Sequence, residues 1–276
     1  MNLIVQAADI ATSHLKQLAK LTGATKIEQI TPQAFRLPNA TKNGDVTNYC
    51  LSVKLDFAFV PEDLKLKHFG LVVMDMDSTL ITIECIDEIA DMQGLKTKVA
   101  TITAAAMRGE IDFAESLRQR VSLLEGLEES ALQKVYDERL KITPGGETML
   151  VKMRGVGIKS LLVSGGFKFF TERLKQRLTL DYTVANTLEV VDGKLTGRIL
   201  GDIVDAQAKA DALVSVRNQL GLQQKQVIGI GDGANDLKML HQAGISIAFH
   251  AKPIVQQQTN YVLNYTGLDG VLNLFS

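Results

Sequence analysis

Leu71-Val72-Val73-Met74-Asp75-Met76-Asp77-Ser78-Thr79 is the stretch on which the fold turns. Four apolar residues run without interruption and end in a cluster holding two carboxylates. An unbroken apolar run of this kind marks a strand buried on both faces, the usual state of a parallel sheet. Residues 160–163 and 226–230 repeat the pattern, and Ile245–Phe249 reads as a fourth such strand. The second run ends in Ser164-Gly165-Gly166, with an amphipathic helix expected from Phe167, and the third in Gly231-Asp232-Gly233-Ala234-Asn235-Asp236. Strands alternating with helical stretches predict an α/β fold built on a Rossmann-like parallel sheet. Ligands of such sheets bind beyond the carboxyl ends of the strands. Three polar clusters at three such ends point to one site.

Residues 81–141 interrupt the alternation. They are rich in Ala, Leu, Glu, Lys and Arg at helical spacing, with stop signals at Gly94, Gly109 and Gly126. The expectation is an inserted helical cap over the site, from which Pro144-Gly145-Gly146 returns the chain to the sheet. Val190-Val191-Asp192-Gly193-Lys194-Leu195 predicts a hairpin, Asp-Gly supplying the type I′ turn. Ahead of the first buried strand lie an apolar run at 3–6, helical spacing over 11–21, and strand-like runs at Ala34–Leu37 and 49–55. This segment reads as a small α/β domain, residues 1–65, before a larger unit at 66–276. Its arrangement resembles a truncated ACT-like βαββ module, a kind of unit that binds amino acids or forms homodimers.

A formal net charge of −1, with 46% hydrophobic and 22% charged residues, describes a chain with a sizeable core and no basic excess for nucleic acid. Two cysteines, Cys50 and Cys85, make no disulfide framework, and no CxxC pair suggests zinc. The first residues lack the basic and long apolar regions of a secretory signal, and no stretch approaches the roughly eighteen apolar residues of a membrane span. The expectation is a cytoplasmic protein with no membrane partner.

The chemistry lies at the strand ends. Asp75 and Asp77 repel one another and sit comfortably only with a cation or a shared proton. Asp75, directly off the strand, is placed to attack phosphorus as a carboxylate nucleophile. Asp77 can protonate the leaving alkoxide and then activate water. The alternative is a helix cap, for which Asp, Ser and Thr are all suited. Ser164-Gly165-Gly166 offers a hydroxyl and backbone N–H groups to an anion, unless it is an ordinary strand-to-helix turn. Asp232 suits Mg²⁺ as a direct hard-oxygen ligand, with Asp236 behind it or bound through water. Gly229, Gly231 and Ala234 fit a relaxed dinucleotide fingerprint, but Asp232 would then face a pyrophosphate without a countercharge. Lys209 can neutralise a phosphoryl group, although a helical lysine is usually a solvated one.

Asp75-Met76-Asp77-Ser78-Thr79, Ser164-Gly165-Gly166, Lys209 and the Gly231–Asp236 cluster follow the order of the four motifs of the haloacid dehalogenase superfamily, which the chain resembles over about 70–276. Glu84, Met107, Phe113 and Arg120-Val121-Ser122-Leu123-Leu124 resemble the cap of the branch that hydrolyses O-phospho-L-serine, the last step of serine biosynthesis. That resemblance implies Glu84 on the substrate ammonium and Arg120 on its carboxylate, with Ser164, Gly165, Lys209 and Asn235 binding phosphate or substrate. It implies Mg²⁺ held by Asp75, the backbone carbonyl of Asp77, and Asp232. The chemistry agrees: a carboxylate meets an ammonium, and a guanidinium forks to a carboxylate. Glu84 as a helix cap and Arg120 as a solvated partner are the plain alternatives.

Other phosphatase chemistries do not fit. Asp56 and Asp91 stand six positions after Cys50 and Cys85, so no Cys-x5-Arg loop exists, and there is no Arg-His-Gly or Walker A motif. A phosphotransferase passing the group to an alcohol such as homoserine, a phosphatase for another small phosphometabolite, and an amino-acid sensor without turnover remain as competing readings.

Overall fold

The structure is a computed structural model and describes residues 1–275. The strands are β1 (Asn2–Gln6), β2 (Glu28–Thr31), β3 (Ala34–Leu37), β4 (Asp56–Val60), β5 (Leu71–Met74), β6 (Lys159–Phe167), β7 (Tyr182–Val191), β8 (Lys194–Leu200), β9 (Val227–Gly231), β10 (Ile245–Phe249) and β11 (Tyr261–Leu263). They form two sheets. The small one has the order β2-β3-β1-β4, and β1 pairs antiparallel with both β3 and β4. With helices Thr12–Thr22 and Gly44–Ser52 between strands, this is a split βαβ arrangement with a second helix and a fourth strand.

The run at 49–55, expected as a strand, is mostly helix. Asn43 caps it by accepting a 3.0 Å hydrogen bond from Asp45 N, and Val46 and Cys50, one turn apart, are fully buried. The strand begins at Asp56, where burial alternates along Asp56–Val60. One face of β1 and β4, carrying Ile4, Ala58 and Val60, joins the same core as Phe69, Val72 and Phe275. Leu3 and Val5 pack the other way, against the small unit's own helices.

The large sheet runs β11-β10-β9-β5-β6-β7-β8, parallel except for the antiparallel β7–β8 ribbon. β5 lies between β6 and β9. The chain leaves it towards β6 and later returns on the other side to β9, which makes the end of β5 a topological switch point. The three polar clusters therefore sit on three adjacent strands.

The insertion is helical: Cys85–Met92, Lys96–Met107, Phe113–Ser122 and Ser130–Glu138. Gly94, Gly109 and Gly126 stand at its breaks with φ of 70°, 76° and 81°, a region that L side chains adopt at a cost. Its stem is a bridge between Ile81 and Ile142, with Thr82 N donating to Lys141 O at 3.0 Å. Its far end is tied to the β7–β8 hairpin by Gly126 N to Leu195 O and Leu195 N to Leu127 O, both 2.8 Å. Asp192 and Gly193 make that hairpin's turn with φ of 51° and 76°. No described helix is long and apolar enough to cross a membrane.

Candidate active site

Asp75 continues β5 in extended geometry and is 5% exposed. Three residues on, Ser78 takes the left-handed conformation, φ 56°. For a non-glycine residue this costs about 1–3 kcal/mol. Ser78 N donates to Ile83 O at 3.2 Å and its hydroxyl to Glu84 Oε1 at 2.7 Å, which hold the turn. Asp75 and Asp77 both line a cleft of about 440 Å³ between the strand ends and the cap. The Asp75 side chain makes no cap bond, whereas Asp77 Oδ1 accepts from the N–H of Cys85, the first residue of helix Cys85–Met92.

Lys209 sits one turn into helix Ala206–Gln219, whose start Asp205 caps by accepting from Gln207 N and Ala208 N. It is 1% exposed, so it is no surface lysine. Its Nζ donates to Asp75 Oδ1 at 2.7 Å and to Asp236 Oδ1 at 2.8 Å. Burial works against its charge, but the carboxylates of Asp236 and Asp75 outweigh burial and raise its pKa. Asp236 Oδ2 accepts from Asp232 N at 3.2 Å and Gly233 N at 3.0 Å. A Cβ at Gly231 would lie 2.6 Å from that oxygen, so the approach needs glycine. Thr79 donates to Asp232 Oδ1 at 3.1 Å.

Burial and the charge of Asp236 push Asp75 well above the usual carboxylate range, with Lys209 pulling back. Burial and Asp236 likewise raise Asp232 to about 6. Burial and the nearby Glu84 raise Asp77 to about 7, against a 3.3 Å hydrogen bond from Cys85 N to its Oδ1. This excess of buried negative charge is what a cation site needs. Carboxylate oxygens of Asp75, Asp232 and Asp236 lie within 4.8 Å of one another, an all-oxygen donor set that fits a hard divalent ion. Both Asp236 oxygens are engaged by Lys209 and the loop, which leaves Asp75 and Asp232 with oxygens to offer. The Asp77 carboxylate lies outside the trio.

The Ser164-Gly165-Gly166 segment is not the strand-to-helix turn that stood as the plain alternative, and the helix expected from Phe167 starts one residue later. β6 continues through Phe167, and the helix starts only at Lys168. The β6–β7 register shifts between Val163 and Phe167, so the segment is a bulge. Two of its backbone groups are satisfied by side chains. Ser164 Oγ accepts from Gly166 N, and Asn186 Nδ2 donates to Gly165 O, both at 2.8 Å. Asn186 also accepts from Val204 N at 2.8 Å. The segment belongs to a bulged strand, and the helix N-terminus lies just beyond it at Lys168. A Cβ at Gly166 would stand 2.8 Å from Asp77 Oδ2, so the close approach excludes a side chain.

Glu84 occupies the N-cap position of Cys85–Met92, yet its side chain makes no cap bond. Arg120 donates through Nε to Ser116 O at 3.3 Å and forms no ion pair among the described residues. Burial lowers its pKa, and Asp87, Glu84 and Asp77 pull it back. Asp75, Asp77, Glu84, Arg120, Ser164, Gly165, Lys209, Asp232 and Asn235 all line the one cleft, with Asp236 directly behind it. Thr103, Asp87 and Lys252 line it as well and were not anticipated. Lys252 follows β10, so the strand-end rule could have found it. The side chain of Met107 lies outside the described residues.

The haloacid dehalogenase-like hydrolase profile matches residues 72–241. A domain of unknown function matches residues 3–45. A phosphoserine phosphatase of Polaromonas sp. is 52% identical over 217 residues, spanning 77% of this chain and 92% of the relative. The unliganded crystal structure of a probable phosphoserine phosphatase from Vibrio cholerae matches with a TM-score of 0.88 at 36% identity, covering 99% of this chain and 86% of that one. A phospho-aspartyl intermediate analogue of phosphoserine phosphatase matches with a TM-score of 0.71 at 38% identity, covering 75% of this chain and 99% of that one. The chain belongs to the haloacid dehalogenase-like hydrolases and, within them, to the phosphoserine phosphatase family.

Proposed function

We propose that this protein hydrolyses O-phospho-L-serine to L-serine and phosphate through a phospho-aspartate at Asp75, with Mg²⁺ as cofactor, in the cytoplasm, as the last step of serine biosynthesis. One observation carries the reading. A single cleft holds a buried aspartate–lysine pair at one end and, under the cap, a carboxylate and a guanidinium with no ion pair between them. Phosphoserine presents the matching phosphate, ammonium and carboxylate. Residues 1–65 are taken as a small accessory α/β domain, ACT-like in its strand order, and as a surface for a homodimer.

Lys209 holds Asp75 Oδ1, which fixes the carboxylate for attack on phosphorus. As the new O–P bond forms, the ester P–O bond breaks, and Asp77 gives its proton to the serine oxygen. A pKa of about 7 suits this role and its reverse. Asp77 then takes a proton from water as that water attacks phosphorus, and Asp75 is regenerated. Ser164 Oγ–H and the third Nζ–H of Lys209 are donors for the phosphoryl oxygens. A divalent cation held by Asp75, the Asp77 carbonyl and Asp232 supplies charge that keeps Asp75 ionised and screens the phosphate. Glu84 and Arg120 hold the amino-acid end and align the ester with Asp75.

The test is phosphate release across phosphoserine, phosphothreonine, phosphoethanolamine and a sugar phosphate, with Mg²⁺ and with chelator, and with homoserine as an added acceptor. The account predicts Mg²⁺-dependent release, highest kcat/KM for phosphoserine, and no transfer to homoserine. Preference for a substrate lacking ammonium or carboxylate contradicts it.

A further inference from the structure

Thr103 lies on the cap helix Lys96–Met107, and with Ala106, one turn on, it forms the face turned towards the cleft. Its hydroxyl oxygen is buried and has no hydrogen-bond partner. A helical threonine ordinarily donates to a carbonyl three or four residues back. Thr101, on the same helix, does so to Thr97 O at 2.9 Å, and Thr22 does so to Leu18 O at 2.8 Å. Thr103 has the same backbone option and does not use it. A buried hydroxyl without a partner is destabilising, and such groups in folded proteins call for an explanation.

The cleft offers one. Glu84 and Arg120 line the same space, and both have part of their capacity spent: Glu84 Oε1 on Ser78 Oγ and Arg120 Nε on Ser116 O. An ammonium brings three donors and a carboxylate about four acceptor sites, which the remaining atoms of these two side chains match in number only if every lone pair and N–H is aimed at the ligand. A hydroxyl both donates and accepts, which suits this end of the ligand. We infer that Thr103 is a substrate-recognition residue whose hydroxyl hydrogen-bonds the amino-acid end of the bound phosphoamino acid beneath the cap. The inference rests on the phosphoserine reading and adds to it. The cap helix contributes directly to specificity through this one hydroxyl.

Thr103→Val removes the hydroxyl while keeping shape and β-branching. The expected result is a fall in kcat/KM for phosphoserine of roughly 10–100-fold, the factor carried by a hydrogen bond to a charged group. p-Nitrophenyl phosphate, which has no amino-acid end, should be turned over at close to the wild-type rate. Thr103→Ser should restore most of the loss. The thermal midpoint of free Thr103→Val should not fall, because no partnered bond is removed. Unchanged phosphoserine kinetics in Thr103→Val, or equal losses on both substrates with a lowered midpoint, would overturn the inference. If the wild type itself shows no preference for phosphoserine over other phosphomonoesters, the phosphoserine reading fails independently of Thr103.

Discussion

At the scale of single residues, the site separates two carboxylates by environment. Asp75 is clamped by Lys209, whereas Asp77 faces Glu84 and titrates at about 7. A raised pKa keeps Asp77 protonated below that value, and the protonated form is the acid that the first step needs. The kcat/KM for phosphoserine should therefore fall as pH rises through roughly 7, and a bound cation would move the limb lower. p-Nitrophenyl phosphate, with a leaving group that needs no proton, should show a much weaker limb. Asp77→Asn should cost roughly 10²–10⁴-fold in kcat/KM for phosphoserine and less for the nitrophenyl ester; equal losses would remove the acid role. Arg120 forms no ion pair among the described residues. Arg120→Ala should cost about 2–5 kcal/mol in kcat/KM for phosphoserine, with Arg120→Lys recovering part of it and p-nitrophenyl phosphate little affected by either change. Asp75 and Asp232 stood out in the sequence because each follows a buried strand, whereas Lys209 stood out only through the motif order of the haloacid dehalogenase superfamily. Thr103 did not, since a threonine inside a helix carries no local mark of what it faces.

Among elements, the double-sided apolar runs were the reliable signal. Leu71–Met74 is buried at every position, and so is Val227–Gly231. Two readings failed for related reasons. The run at 49–55 has apolar residues that suit either period, and the cap at Asn43 with burial of Val46 and Cys50 selects helix. The end of β6 looks like a turn because glycines usually end strands, yet Ser164 and Asn186 satisfy its backbone and let it bulge onwards. That bulge predicts a sensitive position. Gly166→Ala places a methyl 2.8 Å from Asp77 Oδ2, 2.9 Å from Met76 Cε and 3.0 Å from Ser164 Oγ. Overpacking of this kind costs about 1–3 kcal/mol. Displacement of Asp77 should lower kcat at least about tenfold, measured at saturating phosphoserine. A fully active Gly166→Ala would show that the bulge does not position Asp77.

For the whole molecule, the small sheet is built into the catalytic core. Ile4, Ala58 and Val60 share its apolar cluster. Asp56 reaches across to the segment after β11, accepting from Asn264 N at 2.6 Å, Tyr265 N at 2.9 Å, Thr266 N at 3.0 Å and Thr266 Oγ1 at 2.9 Å. Nothing local in the sequence marks a contact between positions about two hundred residues apart, which is why the two segments read as separable. Asp56→Ala strands several buried donors and should lower stability by about 2–4 kcal/mol. A lower urea midpoint at unchanged slope would show it, with p-nitrophenyl phosphate turnover intact at low temperature. Deletion of residues 1–65 should expose the core residues that Ile4, Ala58 and Val60 cover and leave a much less stable protein; a truncation with wild-type stability would contradict this coupling.

The central claim is the covalent intermediate at Asp75. Acid quenching during turnover of ³²P-labelled phosphoserine, followed by peptide mapping, tests it most directly. The account predicts hydroxylamine-labile label on the peptide carrying Asp75, formed faster than steady-state release and absent from Asp75→Asn, which should be inactive. Label on another residue, or an Asp75→Asn variant that still turns over phosphoserine, would contradict it.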